Sequence, residues 1–253
     1  MRDLTIIYYT SGYLEEKNPY FLKNTQEYLV KAIGDSPLVI VSQKPINKFF
    51  DYNVNDVEKV YLGDIGRSHL NIYWQILQGA KAAKTKWVAM AEDDILYTAE
   101  HFNFDKYIKS PQDDIFYYDM CKVSLFTWIK PAMFSFRFKR EVVNQLICNR
   151  EFLIEALEER FKKLEVLRKV WPDEKIIKYW GDPGRYEEFL GVTVRKTRQE
   201  SCSHPSVVFS HNFAYGYEVN QGKKKRLGDL RIFELYRWGR AEDVLKLYYE
   251  PEQ

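Results

Sequence analysis

The 253-residue sequence predicts an α/β fold built on a mostly parallel sheet flanked by helices, and three observations carry that expectation. The chain starts with a short apolar strand pattern, Leu4 to Tyr9, ended by Thr10-Ser11-Gly12. A helix and a second apolar strand follow at βαβ spacing, which implies parallel pairing through a right-handed crossover. A further apolar segment, Trp87 to Ala91, then follows a helical pattern and runs directly into Glu92-Asp93-Asp94.

In chain order, Asn18-Pro19 opens the first long helix, with Phe21, Leu22, Tyr28, Leu29 and Ile33 on one face and Gly34 closing it. Pro37 to Val41 is the second strand, leading into Ser42-Gln43-Lys44-Pro45. Gly63 to Lys84 is the next helical unit, opened by Ile65-Gly66-Arg67-Ser68 and striped by Leu70, Trp74, Leu77 and Ala80. Gly79 and Ala80 would let it approach the sheet closely. After the acidic triplet come a short helix near Ala99 to Tyr107, a strand from Ile115 to Tyr118, and an aromatic, alternating stretch from Cys121 to Phe138 that suggests antiparallel strands.

Arg150 to Trp171 is the clearest amphipathic helix, with Leu153, Leu157, Phe161, Leu164 and Trp171 on one face. Glu158–Lys162, Glu159–Lys163 and Glu165–Lys169 are favourable four-apart pairs, and Pro172 stops the helix. A loop from Trp180 to Phe189 follows, then a strand, Ser206 to Phe209, running into Ser210-His211-Asn212. The run Lys223-Lys224-Lys225-Arg226 precedes a last helix from about Arg240 to Tyr249. The expected organisation is one body, with a nucleotide-binding half at residues 1–120 and an acceptor-binding α+β half at residues 121–253.

Composition narrows the class. A hydrophobic fraction of 45% is enough for a sizeable core, and 16% aromatics is high. The net charge of +2 demands no acidic partner, but Gly191 to Arg240 carries ten basic and four acidic residues. Cys121, Cys148 and Cys202 match no metal-ligand spacing and read as reduced thiols of a cytoplasmic protein. No apolar run approaches the length needed to cross a bilayer, and the N-terminal run is too short for a signal peptide.

Three adjacent carboxylates at the end of a buried strand are costly to half-bury unless a cation offsets them. The carboxyl edge of a parallel sheet is also where open α/β folds bind ligands. Oxygen ligands there suit a hard divalent ion, Mg2+ or Mn2+, carrying a diphosphate, which points to nucleotide-sugar chemistry. The alternative is a solvated acidic turn.

Asn71 to Ala80 followed by Trp87 to Tyr97 resembles the centre of a GT-A-fold glycosyltransferase, and is most similar to small bacterial and phage proteins related to family-2 glycosyltransferases. Tyr8-Tyr9-Thr10, Val41 to Ile46 and Tyr236 to Ala241 agree with that pattern. The resemblance implies that Glu92-Asp93-Asp94 is a DxD-type motif, with Asp94 on the metal and Glu92 and Asp93 holding ribose or metal-bound water. It places Thr10 and Gln43 where such folds hold the base, Arg67, Asn71 and Gln75 near ribose and phosphate, and Tyr9 among the donor-binding residues. A further metal ligand is expected from a strand-end loop in the second half. His211 is the choice for it and His204 the rival. An inverting member needs a carboxylate base for the acceptor hydroxyl, for which Glu187 and Glu188 are candidates and Asp182 the reserve.

The expected activity is therefore metal-dependent transfer of a sugar from a nucleotide-sugar donor, UDP-linked by preference, to a hydroxyl acceptor. A nucleotidyltransferase shares sheet and carboxylates, but it usually carries a basic Gly-rich loop where this chain has Thr10-Ser11-Gly12-Tyr13-Leu14-Glu15-Glu16. A non-catalytic nucleic-acid-binding module would rest on Arg195, Lys196, Arg198 and Lys223 to Arg226. The basic second half also suits an anionic polymer as acceptor, such as phage DNA bearing hydroxymethylated pyrimidine, with the aromatics between Ile115 and Phe138 stacking on an extruded base. A polysaccharide, lipid-linked sugar or protein acceptor stays open.

Overall fold

The computed structural model describes residues 3–45, 52, 54, 56–136, 141–214, 228 and 230–251. Its centre is a seven-stranded sheet in the order β10-β6-β9-β4-β1-β2-β3. These strands are β1 (Leu4–Thr10), β2 (Leu38–Ser42), β3 (Val57–Tyr61), β4 (Trp87–Glu92), β6 (Ile115–Asp119), β9 (Leu146–Asn149) and β10 (Lys196–Glu200). Only β9 runs against the others, antiparallel to both β4 and β6. A second sheet, in the order β12-β8-β7-β11-β5, comprises β5 (Ile95–Leu96), β7 (Lys122–Phe126), β8 (Phe134–Phe136), β11 (Ser206–Ser210) and β12 (Leu230–Ile232). A two-stranded ribbon, β13 (Glu234–Leu235) and β14 (Gly239–Arg240), completes the strands described.

Every residue of β1 is buried, as expected of a central strand covered on both faces. Its alternation divides the core. Ile7 and Tyr9 point to one side, where α3 (His69–Ala82) and α5 (Arg150–Leu167) pack. Leu4, Ile6 and Tyr8 point to the other, against α2 (Pro19–Ile33) and the smaller sheet. The Asn18 side chain caps α2 by accepting from Phe21 N at 3.0 Å, and Ser68 caps α3 by accepting from Asn71 N at 3.0 Å. A Cβ at Gly79 would collide with the Ile7 side chain and lie 3.0 Å from Val41 Cγ2, so only glycine lets α3 sit this close to the sheet.

Several expectations are corrected. β3, β9 and β10 give no clear signal in sequence: β3 and β10 are partly exposed edge strands, and β9 is a four-residue run flowing into α5. In α3, Tyr73, Ile76, Leu77 and Ala80 are buried, while Trp74 is 38% exposed at the flank. α5 ends at Leu167, short of the expected Trp171, and Pro172 does not stop it but stands at the N-cap of a further helix, α6 (Asp173–Trp180). Two four-apart pairs expected along α5 give way to tertiary partners: Glu158 pairs with Lys81 at 2.6 Å, and Glu159 accepts from Arg195 at 2.7 Å.

Two observations bear on acceptor charge. Phe116, Tyr117, Tyr118, Phe126 and Phe134 are core residues, so they offer no face to an extruded base. Arg195 pairs with Glu155 and Glu159, Arg198 with Glu200, and Lys196 lies 4.0 Å from Asp114, so acids offset this part of the basic set. Lys223 to Arg226 lie outside the described residues. Among those described, no helix is long and apolar enough to cross a membrane.

Candidate active site

A cavity of about 260 Å³ opens at the carboxyl ends of β1, β2 and β4 and draws residues from both sheets. Its acidic floor follows from local sequence. β4 ends at Glu92, the chain turns through Asp93 and Asp94, and β5 returns at once to pair antiparallel with β11 (Leu96 with Val207, Ile95 with Val208). Phe209 N extends that ladder by donating to the Asp94 carbonyl at 3.0 Å, which lays the end of β11 against the triplet. His211, two residues on, thereby reaches Asp94.

Each acid is held differently. Glu92 accepts from the Tyr9 hydroxyl at 2.8 Å and from Asn144 Nδ2 at 2.6 Å. Asp93 accepts from Thr10 Oγ1 at 2.5 Å, and its carbonyl accepts from Thr25 Oγ1 at 2.8 Å. Asp94 Oδ1 is buried without a hydrogen-bond partner, and Oδ2 lies 3.5 Å from His211 Nε2. His211 is 2% exposed, packed against Phe21, Phe213 and Tyr248, and neither ring nitrogen makes a hydrogen bond.

Loss of solvent around Glu92, reinforced by the charge of Asp94, pushes its pKa up to about 8, and the same causes raise Asp93 to about 6. A carboxyl raised on folding favours the folded state most below its unfolded pKa. That contribution is lost as pH rises through about 6 for Asp93 and then about 8 for Glu92. In chelator, the thermal midpoint is therefore expected to fall between pH 5 and 8, and Mn2+ at pH 8 to reverse the fall. A flat profile would show that the carboxylates ionise without cost.

Gln43 follows β2 at the cavity wall, and its backbone N–H donates to the Thr10 carbonyl at 3.3 Å. The Arg67 guanidinium stacks on Tyr13, 3.9 Å from the ring centroid, and donates to the Phe213 carbonyl at 2.8 Å, so it links the two halves of the site. Gln75 lines the cavity with its Oε1 unpartnered. Asn71 does not line it; its amide donates to the Ile65 and Gly66 carbonyls and shapes the turn before α3. His204 is also elsewhere, 3.5 Å from Glu100 and stacked over Tyr236.

The three base candidates stand outside the cavity lining. Glu187 is 3% exposed; it accepts from Gly184 N at 3.0 Å and from the Arg195 backbone N–H, and lies 3.4 Å from Arg160. Asp182 accepts from Tyr73 and Val143 N and pairs with Arg185 at 3.0 Å. Glu188 is exposed on α7 (Glu187–Leu190). Glu187 and Asp182 are thus engaged by partners around their own turn, and Glu188 faces solvent. Among the described residues, the carboxylates of the cavity are those of the triplet alone.

Sequence reasoning passed over Tyr13, His69, Lys122, Ser124 and Asn144, all of which line the cavity. The alternation of β7, polar at Lys122 and Ser124 and apolar at Val123 and Leu125, marks two of them. Asn144 carries no such signal, because β9 brings it to Glu92 from far along the chain.

Asp94 and His211 pass a test of fit for a divalent ion, since the unpartnered oxygen and imidazole would each gain a partner. No group of three or more potential ligands occurs among the described residues. Two protein donors suit an ion completed by phosphate oxygens and water.

No protein-family model and no curated protein matches the sequence. Among solved structures, the galactosyltransferase LgtC in complex with donor and acceptor sugar analogues is similar at 9% identity and a TM-score of 0.47, over 98% of each chain. A 4-diphosphocytidyl-2C-methyl-D-erythritol synthase from Anaerococcus prevotii is similar at 12% identity and 0.41, covering 78% of this chain and 87% of that one. A mannose-1-phosphate geranyltransferase from Thermus thermophilus is similar at 9% and 0.39, over 83% and 75%. What stands from sequence and structure together is the fold class: an α/β chain with a parallel-rich sheet flanked by helices.

Proposed function

We propose that this chain is a metal-dependent glycosyltransferase that moves a sugar from a nucleotide-sugar donor, UDP-linked by preference, to a hydroxyl acceptor. The observation that carries the reading is the facing pair Asp94 and His211, with unpartnered ligand atoms at the carboxyl edge of the parallel sheet. Mg2+ or Mn2+ held there would offset the charge developing on the diphosphate as the sugar departs. The protein's own groups position and orient. Tyr9 and Asn144 fix Glu92, and Thr10 fixes Asp93, so the two acids stay clear of Asp94 and present a set geometry to ribose or water. Thr10, Gln43 and Tyr13 form the wall for the base, with Arg67 stacked behind Tyr13. The β7 residues Lys122 and Ser124 also line the cavity.

The DNA acceptor rests on Lys223 to Arg226, since the other basic residues cited for it are offset by acids. Duplex affinity that falls steeply with salt, and is lost when those lysines become glutamate, would support it.

The test is a panel of nucleotide sugars with Mn2+, Mg2+ or chelator. Metal-dependent release of nucleoside diphosphate is the expected result. Release of inorganic pyrophosphate from a nucleoside triphosphate would make the chain a nucleotidyltransferase instead.

A further inference from the structure

We propose that Cys121 and Cys202 form a redox-active dithiol that closes to a disulfide under a disulfide oxidant, stapling the junction between the two sheets. Widely separated in sequence, the two cysteines are brought together by parallel chain paths. β6 and β10 pair side by side in the large sheet, with Asp119 opposite Glu200, and β7 and β11 pair side by side in the small one, with Lys122 opposite Ser206. Both chain segments therefore cross from one sheet to the other at the same place. Cys121 lies in the first crossing and Cys202 in the second.

One buried carboxylate clamps both crossings. Asp119 Oδ1 accepts from Cys121 N at 2.9 Å and from Cys202 N at 3.2 Å, while Oδ2 is hydrogen-bonded to the buried His101 ring at 2.7 Å. The flanking bonds Met120 N to Glu200 O, 2.7 Å, and Ser206 N to Cys121 O, 3.0 Å, hold the backbones in register on either side. The Cys202 thiol donates to the His204 carbonyl at 3.0 Å, and the neighbouring Cys121 thiol, ahead of burial, pushes its pKa up. Two cysteines whose backbone N–H groups share one buried acceptor have a high effective concentration for one another.

The order of events follows from exposure. Cys121 is partly exposed and Cys202 is buried, so Cys121 meets the oxidant first. With glutathione disulfide, the Cys121 thiolate attacks one sulfur and expels one glutathione thiolate, leaving a mixed disulfide. Cys202 then gives up its proton and attacks Cys121 Sγ, expelling the second glutathione. Two protein thiols are oxidised by two electrons in all, and one glutathione disulfide is reduced to two thiols. The bridge would close at the root of β7, which carries Lys122 and Ser124 to the cavity, and of β11, which leads to His211.

The experiment equilibrates the full chain with glutathione disulfide, quenches in denaturant with an alkylating reagent, and maps the peptides by mass. Wild type is expected to take one label, at Cys148, with Cys121 and Cys202 joined and the protein two hydrogens lighter. Its thermal midpoint should rise by roughly 5–10 °C, because the closed loop is long. In Cys202→Ser, a glutathione adduct should accumulate on Cys121 because the resolving thiol is gone. Three labels on oxidised wild type, a bridge through Cys148, or an adduct persisting on wild-type Cys121 would each overturn the proposal.

Discussion

Asp94→Asn is expected to lower metal-dependent turnover by about 10²–10³-fold, the scale seen when a group stabilising transition-state charge is removed. An amide oxygen binds a hard cation far more weakly than a carboxylate, and His211 alone could not hold the ion. Folding should survive, because Asp94 Oδ1 has no partner to lose. Removing this charge also relieves Glu92 and Asp93, whose raised pKa values owe part of their shift to it. The variant's thermal midpoint in chelator should therefore equal or exceed that of wild type, most visibly near pH 8. Loss of turnover with unchanged or higher stability is the signature to look for. Near-normal turnover of Asp94→Asn, or of wild type in chelator, would remove the metal from the reading.

Glu187→Ala is expected to cost about 3–5 kcal/mol of stability, the range for removing one partner of a buried charged pair. Arg160 is fully buried, and besides Glu187 its guanidinium donates to the carbonyls of Trp180, Gly181, Asp182 and Arg185. That arginine gathers the whole 180–187 turn, and Glu187 supplies its countercharge while accepting two backbone N–H groups. Truncation leaves a cation and both amides without that partner. Glu188→Ala, on the exposed face, should change stability by no more than about 0.5 kcal/mol. Denaturant unfolding of both variants measures this, together with turnover per folded molecule. A Glu187→Gln variant of wild-type stability but abolished kcat would restore the role of base and displace the structural account.

The parallel strands β1, β2 and β4, the long helices α2 and α3 and the acidic turn were all legible, because each is locally encoded. Buried parallel strands read as unbroken apolar runs, α2 and α3 carry their caps at Asn18 and Ser68, and a triplet of acids after Ala91 stands out against its surroundings. The edge strands β3 and β10 were not legible, since a half-exposed strand of mixed composition has no apolar run to mark it. β9 is four residues long and merges into α5.

The sequence by itself determined where an acidic sheet edge lies and which histidines stand near a strand end in the second half of the chain. Tertiary structure alone brings His211, and not His204, to Asp94. The antiparallel register of β5 with β11 carries one to Asp94, while the loop before β11 turns the other toward Glu100. It likewise decided that Glu187 is an internal countercharge, because Arg160 reaches it from α5. Strand character and acidic clusters are written in neighbouring residues. The partner of a buried charge is set by which distant segments the packing brings within a few ångströms, and no local pattern records that.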